Sequence, residues 1–96
     1  MINLSSVVLE FRSTNNYSKL FMSVTDIYNK NKVDGLSILN YFRIKNKEVL
    51  NNTIKKNKHL RRTITDMITT ANNLDHIQLK EMDYNYMQMI SDLNEI

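Results

Sequence analysis

The chain has no cysteine and no proline, and Gly35 is its one glycine. Without cysteine there is neither a disulfide framework nor a thiolate metal site. Without proline, and with a single glycine, the chain can hold few tight left-handed turns. No apolar run approaches the ~20 residues of a membrane span, so no stable membrane insertion is expected. Met1 to Phe11 lacks a basic start and a small-residue cleavage site, so a conventional secretory signal is not expected either. At 96 residues the chain is read as a single helical domain, residues 1–96. A chain this short buries only roughly 60–65% of its surface, so a lone helical hairpin would be marginal.

What is present points to helices. The one glycine falls in Asn31-Lys32-Val33-Asp34-Gly35, between two long stretches with helical periodicity. Val33, Asp34 and Gly35 are therefore expected to form a turn. The fold class is all-α, an antiparallel helical hairpin or small bundle. Helix one is expected over residues 5–29, capped by Ser5 or Ser6, with Ser13 to Asn16 as its weak point. Ser37 is expected to cap helix two, residues 37–74, with Asp34 as the alternative. Such a helix would be roughly 57 Å long at 1.5 Å per residue; its stripe weakens between Asn51 and His59, and the alternative is a break near Asn57, where Asn and Lys favour helix poorly. A last helix is expected over residues 77–94, after a phase slip at Asn72 to His76. It carries two apolar sides: Leu79, Met82, Tyr86, Met89 and Leu93 on one, with Tyr84, Met87 and Ile90 beside it. That much apolar surface on a last helix calls for a partner.

The charge is uneven. Between Tyr41 and Arg62 stand Arg43, Lys45, Lys47, Lys55, Lys56, Lys58, Arg61 and Arg62 against Glu48 alone. From Thr63 onward stand Asp66, Asp75, Glu81, Asp83, Asp92 and Glu95 against Lys80 alone. A net charge of +3 thus hides a basic middle and an acidic tail. The basic stretch reads either as a solvated helix face or as a stripe for phosphates.

Catalytic chemistry has little to stand on. His59 and His76 are far apart in sequence with no carboxylate at ligand spacing, so no metal is expected. Asp75 and His76 are neighbours, and on a helix they point about 100° apart. No serine or threonine lies in a glycine-flanked elbow. No catalytic residue, cofactor or enzymatic activity is expected.

Two resemblances bear on function. The layout resembles that of the small helical-hairpin proteins of bacterial type VII secretion, the Trp-Xaa-Gly family and the related accessory partners of LXG toxins. Val33-Asp34-Gly35 falls near that family's central turn, with Val33 where the Trp-Xaa-Gly form has tryptophan. Ile64 to Ala71 is an amphipathic, Ile-rich stretch ahead of the C-terminal motif. Leu79-Lys80-Glu81-Met82-Asp83 resembles the family's C-terminal Phe-Xaa-Xaa-Xaa-Asp export motif, with Leu79 in place of the aromatic. The resemblance implies a non-enzymatic partner that packs beside the helical N-terminal domain of a larger toxin, with room for a second small helical partner. It implies a place in the bacterial cytoplasm before export, then secretion with the partner. Leu79 and Asp83 are its export-motif candidates. Phe21, Val24, Tyr28, Met67, Met82, Tyr86, Met89 and Ile90 are its partner-interface candidates.

Leu39 to Val49 resembles a helix-turn-helix, with Lys45, Asn46 and Lys47 opening a recognition helix. This alternative implies a cytoplasmic DNA-binding regulator of phage or plasmid origin, and Arg43 to Arg62 would supply its phosphate contacts.

Overall fold

Asparagine does most of the punctuation in this chain. The computed structural model describes residues 3–45 and 47–95, with the backbone alone at 43–45, 49, 50 and 53. Among them run six helices: α1 (Leu4–Thr14), α2 (Tyr17–Lys30), α3 (Lys32–Lys45), α4 (Lys47–Lys56), α5 (Lys58–Asn72) and α6 (His76–Asn94). The Asn3 side chain caps α1 by accepting from the Ser5 N–H at 3.1 Å. Asn15 closes α1 in the left-handed region, φ 55°, and its N–H donates to the Phe11 carbonyl at 2.7 Å. Asn16 then caps α2 by accepting from the Lys19 N–H at 3.1 Å. Asn31 both ends α2, donating to the Ile27 carbonyl at 2.7 Å, and starts α3, accepting from the Asp34 N–H at 3.2 Å. The physical reason is common to all of these. A short amide side chain satisfies orphan backbone donors at a helix start, and it tolerates the left-handed conformation at a helix end.

The bundle is built around α3. Val33, Leu36, Ile38, Leu39, Tyr41 and Phe42 are all buried, and at helical spacing these positions encircle the axis. Its main neighbours are α2 on one side and α6 on the other, with α1 and α4 completing the surround. Gly35 lies inside α3, where it comes up against α2: a Cβ there would stand 2.6 Å from the Cα and Cβ of Tyr28. Ser37 is fully buried, yet satisfied. Its Oγ donates to the Val33 carbonyl at 2.8 Å and accepts from Asn85 Nδ2 at 3.3 Å. A run of rings ties three helices together: Phe11 to Phe42 at 5.4 Å between centroids, Tyr41 to Phe42 at 5.3 Å and Tyr41 to Tyr86 at 6.2 Å. Arg12 Nη2 donates to the Tyr41 hydroxyl at 2.9 Å, so that buried ring keeps a polar partner.

The all-α class is as expected, in its small-bundle form. The long hairpin is not what forms. The longest dimension is 33 Å, well short of the roughly 57 Å of a continuous second helix. The radius of gyration of 12.7 Å matches the about 12.5 Å of a compact chain of this length. Helix one breaks at Asn15–Asn16, and helix two is replaced by α3, α4 and α5. The expected turn at Val33, Asp34 and Gly35 is helix as well. Asn31 caps α3 four residues before the glycine, and a backbone crossing, not a turn, accounts for Gly35.

The left-handed Asn15 gives a direct test. Asn15→Gly should change stability by less than about 0.5 kcal/mol, because glycine takes that conformation freely. Asn15→Val should cost about 1–2 kcal/mol in urea unfolding. Equal stability of the two variants would mean that the α1–α2 corner does not need this conformation.

Candidate functional site

Among the described side chains, most of the large apolar groups left in water sit on one helix. Of the five exposed there, Ile77, Leu79, Tyr84 and Met87 belong to α6, and the fifth is Met22. The helix is well fixed at its start by a reciprocal cap. Asp75 Oδ1 accepts from the Gln78 N–H at 2.8 Å, and Gln78 Oε1 accepts from the Asp75 N–H at 3.1 Å. From there its residues divide by face. Met89 and Leu93 are buried, and Met82, Tyr86 and Ile90 are partly buried against the same core. Ile77, Tyr84 and Met87 fall on the opposite side and are 77%, 67% and 70% exposed. Leu79, 40% exposed, and Asp83, exposed, stand one turn apart in line with Met87.

Beside α6, where it meets the start of α1, lies a groove of about 480 Å³. Its polar wall is internally paired. Asn85 Nδ2 donates to Asp34 Oδ1 at 2.8 Å, Gln88 Nε2 donates to Asp92 Oδ1 at 2.9 Å, and Ser5 Oγ donates to Asp92 Oδ2 at 3.3 Å. Both carboxylates are engaged by neutral donors, and no histidine lines the groove. The arrangement fixes α6 against α1 and α3; it does not juxtapose a proton donor with a base. Among the described residues no group of three His, Cys, Asp or Glu could hold a metal ion. His59 and His76 are both exposed, on different helices.

The partner-interface candidates divide. Phe21, Val24, Met67 and Met89 are buried in this chain's own core and cannot meet a partner in the folded protein. The short helices fold back around α3 and cover the faces that a long hairpin would have left open. Tyr28 is half-buried, and its hydroxyl donates to Thr70 Oγ1 at 2.8 Å, linking α2 to α5. Met82, Tyr86 and Ile90 pack on the core with an edge in solvent. Of the exposed set that takes their place, Tyr84 and Met87 were marked in the sequence by the second apolar side of the last helix; Ile77 was not.

The basic residues lie elsewhere. Lys47, Lys55 and Lys56 on α4 and Lys58, Arg61 and Arg62 on α5 are all exposed. Arg43 and Lys45 stand in the last turn of α3, and their side chains lie outside the described residues, as does Asn46. The helix-turn-helix reading of Leu39 to Val49 does not fit the backbone. α3 runs to Lys45 and α4 starts at Lys47, leaving no room for a turn of three or four residues.

No protein-family model, curated protein or solved structure matches this chain. No described helix is long and apolar enough to cross a membrane.

Two neighbouring methionines test the division of α6. Met89→Ala should cost about 2–5 kcal/mol in chemical unfolding, as for other buried large-to-small changes. Met87→Ala should stay within about 0.5 kcal/mol of the parent. Similar costs for the two would contradict the assignment of one face to the core and the other to solvent.

Proposed function

We propose that this chain is a non-enzymatic helical binding module that offers the outer face of α6 to a helix of a larger protein. One observation carries the reading: among the described residues, four of the five large exposed hydrophobic side chains lie on that single helix. Burying a large apolar side chain is worth roughly 1.5–3 kcal/mol. Ile77, Tyr84 and Met87 together therefore supply a substantial part of a micromolar affinity, about 8 kcal/mol. Asp83 and Glu81 border the stripe and Lys80 lies within it, so these charges can set the register of a docked helix, as charges do at coiled-coil edges.

In its finer form the proposal makes the chain an accessory partner of an LXG-type toxin, carried from the cytoplasm through a type VII system together with it. Support comes from Leu79 and Asp83, which share an exposed face of α6 where a receptor can read them together. The turn at Val33 to Gly35 lends no support, since those residues are helical. The finer reading therefore rests on the C-terminal pair and on α6.

A tagged form recovered from native cells at high salt, after nuclease treatment, should bring down one larger helical protein in stoichiometric amount. The variant Tyr84→Lys with Met87→Lys should keep its helical circular dichroism and lose that protein at least tenfold. Recovery unchanged in the variant would overturn the docking face. Leu79→Ala or Asp83→Ala should abolish export while keeping the partner, and unchanged secretion of both would remove the export role.

A further inference from the structure

A second surface, distinct from the α6 face, is built from the basic middle of the chain. Lys55, Lys56, Lys58, Arg61 and Arg62 fall within eight residues, across the single-residue break at Asn57 that joins α4 to α5. All five are exposed. The one ion pair among the described residues is Lys19 with Glu10, so none of these five is neutralised by a carboxylate. The nearest acids in sequence are Glu48 at the start of α4 and Asp66 one turn beyond Arg62, both exposed.

The elbow has a rigid footing. Ile64 and Met67 bury the inner side of α5, with Leu60, Ile68 and Ala71 packed beside them. Its outer side repeats Lys58, Arg61 or Arg62 at steps of three and four; Thr65 and Thr69 continue that face, with their hydroxyls donated to the Arg61 and Thr65 carbonyls at 2.7 and 3.0 Å. Next to the elbow is a cleft of about 610 Å³, between the α1–α2 corner and the end of α4. Asn15, Asn16, Tyr17, Asn52 and Lys56 are among its walls, and no carboxylate lines it. Hydroxyls, amides and ammonium groups in that combination are what sugar and phosphate oxygens accept from.

We propose that the α4–α5 elbow and its adjoining cleft bind the sugar–phosphate backbone of a nucleic acid. Two features favour this ligand over an anionic membrane. Among the described side chains, α4 and α5 expose no large hydrophobic group to insert between lipids, as an interfacial helix needs. Amides border Lys56 in the adjoining cleft instead. Asp75, Glu81, Asp83, Asp92 and Glu95, at and along α6, repel phosphates from that helix.

The test is fluorescence anisotropy of the full chain with a fluorescein-labelled DNA duplex of mixed sequence, and with one strand of it, over a salt series. Five phosphate contacts predict a log–log salt slope of about −4 on duplex, or about −3 to −4 on the single strand. Whichever form binds more tightly identifies the source of the backbone. Arg61→Gln with Arg62→Gln should reduce the slope by about 2. Arg61→Glu with Arg62→Glu should reduce affinity at least tenfold. The same charge change at the α2–α3 junction, Lys30→Glu with Lys32→Glu, should have under a third of that effect. The Tyr84→Lys, Met87→Lys variant should retain binding, which separates this surface from the α6 face. Equal losses from the elbow and junction variants would overturn the proposal in favour of net charge alone. So would phosphatidylserine vesicles or polyglutamate competing as well as DNA at equal charge concentration, or no anisotropy change at low salt.

Discussion

At the α2–α3 crossing, the Cα of Gly35 meets the backbone of Tyr28 so closely that a methyl group there would lie 2.6 Å from Tyr28 Cα and 2.8 Å from its nitrogen. Glycine within a helix ordinarily costs about 1 kcal/mol relative to alanine. Here the cost is offset by what the close approach permits. With the two backbones together, Val24 and Ile27 of α2 join Leu36 and Leu39 of α3 in one core. Between Val33 and Phe42 the helix that results buries apolar residues all round its axis, and α1, α4 and α6 gather round it. A wider α2–α3 spacing would remove this common centre.

That centre also decides which surfaces remain for function. α6 commits Met89 and Leu93 to the core, and Asn85 to a hydrogen-bonded contact with Asp34 and Ser37 of α3. Its opposite side leaves Ile77, Tyr84 and Met87 in water among Lys80, Glu81 and Gln88. α5 commits Ile64 and Met67 inward and leaves its cations outward. The two exposed faces thus differ in kind, one carrying large apolar groups and one carrying cations. In the proposed account, apolar helix docking, which holds at high salt, belongs to the first. Phosphate contact, which weakens steeply with salt, belongs to the second.

Much of the helical content was legible from periodicity alone. The last helix, expected over 77–94, is found at His76–Asn94, because its apolar spacing and the Asp75–Gln78 cap both act locally. Three things were not legible. Gly35 carries the same signal whether it forms a turn or lets two helices touch, and only the position of Tyr28 decides. The asparagines at 3, 15, 16 and 31 are caps, and a single left-handed asparagine turned the α1–α2 corner without any glycine. Reading asparagine as punctuation would have divided the chain nearer its true joints. Phe21, Val24, Met67 and Met89 read equally well as core or interface, since periodicity marks an apolar face without saying what covers it.

The measurement that bears most directly on this account is the stability of Gly35→Ala by urea unfolding, followed by circular dichroism. The obstructing atoms belong to the backbone and the Cβ of Tyr28, so no side chain can simply rotate away. The account predicts a loss of at least about 2 kcal/mol, at the upper part of the range for overpacked cores. A gain of about 1 kcal/mol, as alanine gives in an unobstructed helix, would contradict the crossing on which the bundle is built.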